Sequence, residues 1–193
     1  GFHGNLTANQ IINQVLSIPQ THSLTNIVFM GMGEPLDNID PVLKVIEILT
    51  AEWGFAWSPK RITVSTVGVK PALRELVENT QVHIAVSVHN AVSEERQSMM
   101  PLEKVYGIRD VMEMLGEYDF AHQRRLSVEY IMWQWLNDDI KHAEALREII
   151  PNEHVRVNLI RYHLIPEIPK LRTSSDERMA QFRDYLNEIG RAH

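Results

Sequence analysis

Short apolar runs alternate with amphipathic helical patterns along the chain. The runs cover residues 26–30, 61–66, 83–88, 126–132 and 155–160, and they have the length and composition of buried strands. Between them, apolar residues recur with the spacing of one helix face, and the last such pattern is expected to end at Gly190. Alternating strands and helices build a parallel sheet through right-handed crossovers. The pattern therefore predicts an α/β fold and leaves open whether the sheet is doubly wound or curled into a barrel.

A single domain accounts for the length of the chain. Its 193 residues, 44% of them hydrophobic, suffice for one sizeable core and are too few for two. We find no internal repeat, low-complexity segment or linker that divides residues 1–193. No stretch has the length and apolarity of a membrane span, and the chain does not open on a signal-peptide pattern. These features indicate a cytoplasmic protein.

Composition and missing motifs restrict the function. The chain has no cysteine, which excludes disulfides, thiolate zinc sites and an iron–sulfur cluster held by this chain. The formal net charge of -6 argues against a surface that binds nucleic acid through charge alone, so any RNA contact has to be local. The sequence contains neither a His-Glu-x-x-His pair nor a Gly-x-Ser-x-Gly elbow, so a zinc hydrolase and a serine hydrolase are poorly supported.

A glycine-rich turn follows the first predicted strand. Gly31 and Gly33 allow the backbone to take positive φ and to approach a ligand closely, and Pro35 stiffens the exit. Glu34 is presented where a buried strand ends, so a cationic ligand group is expected there. The turn is not a dinucleotide-binding fingerprint, because Glu34 and Pro35 stand where the third glycine should open a helix.

Polar or aromatic groups follow the other predicted strands as well. In parallel α/β folds, ligands bind beyond the carboxyl ends of the strands. The later strands end in Ser65-Thr66, Ser87 to Asn90, Trp133-Gln134 and Arg161 to His163. Any one of these groups has an ordinary structural explanation, since a serine at a strand end often caps the next helix. Together they predict a polar binding edge on the sheet.

Several sequence blocks, taken together, resemble a known family. The blocks are, in chain order, Asn5-Leu6-Thr7, Met30 to Pro35, Ile62 to Thr66, Ala85 to His89, Met100-Pro101, Glu129 to Met132, Asn137-Asp138, Asn158-Leu159-Ile160 and Arg172 with Ser174-Ser175. Their order and spacing are similar to those of the radical S-adenosylmethionine methyltransferases that methylate C2 of an adenine in 23S rRNA. The resemblance implies a partial parallel βα barrel of the radical S-adenosylmethionine type, which is an incomplete TIM-like barrel.

The resemblance also implies a cofactor site and no catalytic or metal-ligating residue within this chain. The family's S-adenosylmethionine contacts fall on Gly33, Glu34, Ser65, Ser87, Val88, His89 and His163. The last of these, His163, occupies a place where the family has an asparagine. Glu34 and neighbouring carbonyls are expected to receive the methionyl ammonium, while Ser65 and the Ser87 segment offer hydrogen bonds to the carboxylate or ribose.

Other parts of the family's machinery are not in this sequence. The family has three cysteines that hold a 4Fe–4S cluster, and they would lie just before Gly1. A further cysteine, which carries the transferred methyl group, would lie beyond His193. The sequence also starts without Met. We therefore expect residues 1–193 to be a core-domain fragment that is truncated at both ends and inactive by itself.

The resemblance implies partners for the intact protein. They are 23S rRNA, tRNA and an electron donor such as flavodoxin. Candidate RNA-contacting residues are Arg124, Arg125, Lys170 and Arg172, although ordinary solvated surface charge explains them equally well. Two alternatives stay open at this stage. One is a relative that acts at C8 of adenine, and the other is a cysteine-free nucleotide-binding module without redox chemistry.

Overall fold

A five-stranded parallel sheet forms the centre of the computed structural model, which describes residues 4–122 and 124–188. The strands are β1 (Ile27–Phe29), β2 (Ile62–Thr66), β3 (His83–Ser87), β4 (Leu126–Met132) and β5 (Arg156–Arg161). Every predicted strand is present, and each observed end lies within one residue of the predicted one. The alternating apolar pattern was therefore sufficient to locate the sheet.

Seven α-helices accompany the strands within the described residues. They are α1 (Ala8–Leu16), α2 (Ile39–Thr50), α3 (Lys70–Asn79), α4 (Ser93–Met99), α5 (Ile108–Gly116), α6 (Ile140–Ile149) and α7 (Asp176–Glu188). Helix α4 was not predicted, because it has no apolar stripe and its buried residue is Arg96. The predicted end of the last helix at Gly190 lies outside the described residues. No helix in the described part of the chain is both long and apolar enough to cross a bilayer.

The order of the strands in the sheet is the same as their order in the chain. Each strand pairs in parallel with the next, from β1 at one edge to β5 at the other. A doubly wound sheet reverses its strand order at a switch point, whereas a barrel places every new strand beside the last. The structure thus selects the barrel alternative and confirms a partial parallel βα barrel.

The two faces of the sheet differ in polarity. One face packs against the helices and is apolar, with Ile62, Val64, Ile84, Val86 and Val128 almost completely buried. Successive side chains of a strand point to opposite faces. The other face therefore carries the alternate residues, which include Thr63, Ser65, Ser87, Ser127, Glu129 and Asn158. In a βα barrel, this second face lines the interior.

One of the candidate RNA-contacting cations is a structural residue. Arg124 precedes β4 and therefore lies at the amino edge of the sheet, away from the carboxyl ends of the strands. It is buried and donates hydrogen bonds to the carbonyls of Val77, at 2.6 Å, and Thr80, at 3.0 Å. The interpretation of Arg124 as an RNA contact was wrong, because its guanidinium satisfies buried carbonyls. Arg125 is exposed but lies at the same amino edge.

Candidate functional site

The glycine turn after β1 lies open at the carboxyl edge of the sheet. Gly33 has φ +91°, whereas Gly31 does not take a positive φ, so the predicted need for glycine holds only at Gly33. No atom lies within 4 Å of the place where a Cβ would stand at either glycine. The intervening Met32 is fully exposed. The turn therefore presents bare backbone that a ligand can approach.

The carboxylate of Glu34 connects two neighbouring loops. Its Oε1 accepts a hydrogen bond from the Leu36 N–H at 3.0 Å, and its Oε2 accepts one from the Val67 N–H at 2.8 Å. The side chain thereby holds the turn after β1 against the loop after β2. Each carboxylate oxygen keeps a further lone pair, so Glu34 can also accept a bond from a ligand cation. The sequence suggested only the second of these two roles.

The hydroxyls of Ser65 and Ser87 are available to a ligand. Ser87 is the last residue of β3 and Ser65 is the last but one of β2. Both lie on the polar face, because Ser65 pairs with Ala85, which is two residues before Ser87. Neither hydroxyl forms a hydrogen bond with another group in the described part of the chain. A serine hydroxyl can donate one hydrogen bond and accept two. Two adjacent strands therefore offer unused donors and acceptors at one edge.

A buried arginine fixes the backbone at this edge. Arg96 lies at the centre of α4 and is completely buried. Its guanidinium donates to the carbonyls of Val67 at 3.0 Å, Ser87 at 3.2 Å and Val88 at 3.0 Å. Glu103 balances the charge, with 2.5 Å between Nη1 and Oε2. Burial lowers the pKa of Arg96 from its usual value, and Glu103 opposes that shift. The ends of β2 and β3 thus share one charged anchor.

Val88 contributes to the edge through its backbone and its shape. Its side chain is fully buried in the apolar core. Its N–H donates to the carbonyl of Glu129 at 3.1 Å, and its own carbonyl is bound by Arg96. Both backbone polar groups are therefore engaged. Val88 therefore has no free hydrogen-bonding group for a cofactor. We expect it to act by holding the end of β3 in place.

His89 is a neutral hydrogen-bond donor held in a strained conformation. Its φ is +55°, which is uncommon for a residue other than glycine. Its Nδ1 accepts a hydrogen bond from the Ile131 N–H at 3.1 Å. Burial, with a smaller contribution from Arg96, lowers the pKa of His89 to about 4, so the ring is uncharged at neutral pH. The proton is then on Nε2, which is left as the donor.

His163 follows β5 at the same carboxyl edge. Its side chain is exposed and forms no hydrogen bond with another described residue. The structure therefore places it at the carboxyl edge but does not bring it into contact with Ser65, Ser87 or His89, and its cofactor role stays a prediction. No group of three or more histidine and acidic side chains in the described ranges has the arrangement of a metal site.

Glu129 is a polar group that sequence reasoning did not single out as a site residue. It is 8% exposed and lies on the polar face in register with Ser87 and Asn158. Its Oε1 accepts hydrogen bonds from the Asn158 amide at 2.7 Å and from the Ser127 hydroxyl at 3.0 Å. The sequence contained a signal for this role, because burying a glutamate in the middle of an apolar strand costs free energy unless the carboxylate is hydrogen-bonded.

Four buried polar atoms near the ends of β4 and β5 lack hydrogen-bond partners among the described residues. They are Trp133 Nε1, Asp138 Oδ2, Tyr162 Oη and Ser174 Oγ. Trp133 pairs with Thr173 across an isolated bridge, and its ring lies 6.0 Å from that of Tyr162. Buried polar groups normally have partners. This end of the sheet therefore has unused capacity for a polar ligand or for solvent.

The donor and acceptor set fits S-adenosylmethionine and does not fit an iron–sulfur cluster. The acceptor Glu34 suits an ammonium group, and the free hydroxyls of Ser65 and Ser87 suit a carboxylate or a ribose. A 4Fe–4S cluster requires thiolates, and this chain has no cysteine. The chain therefore has polar groups that suit S-adenosylmethionine and no thiolate for the cluster.

Comparison with curated proteins bears out the resemblance. The chain is 56% identical over 190 residues to a protein of Parabacteroides distasonis named "Probable dual-specificity RNA methyltransferase RlmN". The match covers 98% of this chain and 55% of that relative, so the chain spans about half the length of the relative. No family model matches the chain. The predicted resemblance to the rRNA adenine methyltransferases is confirmed over almost the whole sequence.

Solved structures agree with the assignment of the fold. A radical SAM methyltransferase from Sphaerobacter thermophilus has a TM-score of 0.91 and 34% identity, covering 100% of this chain and 58% of that one. A domain of pyruvate-formate lyase-activating enzyme from Bacteroides vulgatus has a TM-score of 0.65, covers 87% of this chain and 97% of that one, and at 20% identity bears on the fold alone. The partial βα barrel is therefore shared with both.

Proposed function

We propose that this chain is the S-adenosylmethionine-binding part of the barrel in a radical S-adenosylmethionine methyltransferase that acts on C2 of adenine in 23S rRNA and tRNA. The observation that carries the proposal is the set of ligand-ready groups at one edge, Glu34, Ser65 and Ser87, in a chain 56% identical to a relative named as an RNA methyltransferase. Fold alone does not establish function, so the proposal depends on these side chains.

We assign the roles of the residues from the resemblance and from their positions at the carboxyl edge of the sheet. Bound S-adenosylmethionine supplies both the methyl group and the adenosyl group of the reaction. We assign the methionyl ammonium to Glu34 and to the open backbone at Gly33. The hydroxyls of Ser65 and Ser87 bind the carboxylate and the ribose, and neutral His89 donates from Nε2. Because Arg96 fixes the carbonyls after β2 and β3, these groups are oriented before the cofactor arrives.

The redox and methyl-carrying steps belong to residues outside this chain. The thiolates that would hold the cluster, and the cysteine that would carry the methyl group, have to come from other parts of the intact protein. An electron donor such as flavodoxin and the RNA substrates complete the set of partners. From a substrate in the ribosome, we infer a cytoplasmic location for the intact protein.

Calorimetry of S-adenosylmethionine binding to the 193-residue chain tests the cofactor assignment. Ser65→Ala and Ser87→Ala each remove a hydroxyl that has no protein partner, so the protein loses no internal hydrogen bond. Each variant is expected to bind the cofactor roughly 2- to 12-fold more weakly, which corresponds to the loss of one hydrogen bond of about 0.5–1.5 kcal/mol. Ser23→Ala, exposed before β1 at the amino edge, is the control for removal of a serine hydroxyl and should bind normally. The Ser23 hydroxyl donates to the carbonyl of Gln20 at 2.9 Å, so this variant also shows that the loss of a local hydrogen bond alone does not weaken binding.

Two results would contradict the assignment. One is the absence of any binding heat from the wild-type chain. The other is equal affinity of the two edge variants, Ser65→Ala and Ser87→Ala, with the control. Glu34→Ala is a less specific probe, because its loss also leaves the N–H groups of Leu36 and Val67 without their acceptor.

A further inference from the structure

An exposed tryptophan stands on the turn after β4. Trp135 is 78% exposed and has φ +63°, which is a strained conformation for a large side chain. Strain of this kind persists only where surrounding contacts impose it, and it is concentrated at functional sites. The indole is therefore held out into solvent by the fold, at the edge where the cofactor groups lie.

Backbone hydrogen bonds fix the turn in this conformation. The Trp135 N–H donates to Asp138 Oδ1 at 2.9 Å, and the preceding Gln134 N–H donates to the carbonyl of Arg172 at 2.9 Å. One residue earlier, the Trp133 N–H donates to the side chain of Asn137 at 2.8 Å. The indole of Trp135 therefore projects from a rigid base, which reduces the entropy lost when a ligand orders it.

A guanidinium lies over one face of the indole. The Arg172 Cζ is 5.7 Å from the centre of the Trp135 ring, within the range of a cation–π contact. Arg172 itself is exposed. The pair thus combines a flat aromatic surface with an adjacent positive charge. These are the two elements with which proteins bind single-stranded nucleic acid, through stacking on the base and attraction to the phosphate.

Asn137 connects this turn to the cofactor edge. It is completely buried, and its amide donates to the carbonyls of Ile131, at 2.8 Å, and His89. The Trp133 ring also lies against His89, with 5.9 Å between the ring centres. The exposed indole of Trp135 therefore belongs to a turn that is bonded directly to a proposed cofactor residue.

We propose that Trp135 and Arg172 form a stacking platform for an unpaired nucleobase of the RNA substrate. The inference rests on the proposed function, because it takes the RNA to be the partner that reaches this edge. To that function it adds Trp135 and Arg172 as the residues that bind the base. A chain with a formal net charge of -6 needs a local contact of this type, since its overall field repels RNA.

The test measures RNA and cofactor binding separately in the same variants of the chain. A fluorescently labelled single-stranded oligoadenylate reports RNA affinity through anisotropy, and unlabelled RNA reports stacking through quenching of tryptophan emission. Trp135→Ala is expected to weaken RNA binding by roughly 5- to 160-fold, the range for loss of one stacked base. Trp135→Phe keeps a stacking surface and should stay within about threefold while losing the quenching signal.

Trp53 provides a matched control. It is 67% exposed and has the Lys44 ammonium 5.8 Å from its ring centre, so it repeats the aromatic and cationic pair. It lies between α2 and β2, however, at the amino edge of the sheet. Trp53→Ala should leave RNA affinity unchanged.

The RNA affinities test the stacking platform, and the calorimetry tests the cofactor assignment. No RNA binding by the wild-type chain, or equal RNA affinity of Trp135→Ala and wild type, would overturn the platform. So would a loss of S-adenosylmethionine binding in Trp135→Ala with RNA affinity intact, because the indole would then serve the cofactor. Expected RNA results without any S-adenosylmethionine heat would support the platform and reject the cofactor assignment.

Discussion

Replacing Glu103 with alanine is expected to remove a large part of the stability of the fold. The carboxylate balances Arg96, and the side chains of the two residues are 3% and 0% exposed, respectively. It also accepts hydrogen bonds from the Ser93 hydroxyl at 2.7 Å and the Ile108 N–H at 3.0 Å. The variant therefore leaves a buried guanidinium without its counter-ion and two donors without an acceptor.

The size of the loss follows from the burial of the pair. Removing one partner of a buried ion pair costs about 3–5 kcal/mol, because the remaining charge is uncompensated. A domain has a total free energy of unfolding of about 5–15 kcal/mol, so Glu103→Ala should consume a large share of it. The double variant Arg96→Met, Glu103→Leu should cost less than the sum of the two single changes, since no buried charge remains.

A surface ion pair supplies the matched control. Lys44 Nζ lies 2.8 Å from Glu47 Oε2, but the two side chains are 54% and 53% exposed. Exposed pairs contribute about 0–1 kcal/mol, so Glu47→Ala should have little effect. Urea unfolding followed by circular dichroism gives the free energy of unfolding of the wild type, Glu47→Ala, Glu103→Ala, the double variant and its two single changes, Arg96→Met and Glu103→Leu. A loss for Glu103→Ala no larger than that for Glu47→Ala would refute the reasoning.

Two further predictions concern the cofactor edge. Folded His89 stays neutral down to its pKa of about 4, whereas a histidine in the unfolded chain takes up a proton at pH ~6.5. The free energy of unfolding should therefore fall as the pH is lowered between these two values. Urea unfolding of His89→Asn, which tolerates the positive φ, should show a shallower fall, and parallel pH profiles would contradict this assignment. Gly33→Ala should cost about 1–2 kcal/mol because its φ is +91°, whereas Gly31→Ala should be neutral or stabilising. Equal thermal stability of the two glycine variants would show that the turn relaxes.

Local patterns predicted the elements of this protein well. The strands and the apolar helices were found because their signal is a periodicity that lies within a few consecutive residues. Helix α4 was not predicted, because its buried residue is Arg96 and it has no apolar stripe. The burial of an arginine depends on partners that are distant in the chain, such as the carbonyl of Val67. The same limit applies to Arg124, which looked like a surface charge until its carbonyl partners were known.

The polar groups at the carboxyl edge of the sheet were predicted in part, and their binding of a cofactor stays a prediction. The strand ends identified Ser65, Ser87 and His89, since parallel strands bring their carboxyl ends together. The sequence did not show that Glu34 also bonds to the backbone of Val67, which is 33 residues away. It did not show the role of Glu129, whose partners lie on its own strand and on β5.

The sequence by itself determined the positions of the strands, the glycine turn and the polar character of the strand ends, because each depends on residues that are neighbours in the chain. Tertiary structure decided the strand order, and with it the choice of a barrel over a doubly wound sheet. It also decided that Arg96 anchors two strand ends and that Asn137 ties the Trp135 turn to His89. These contacts join segments that are far apart in the chain, and no local spacing specifies which distant groups will meet.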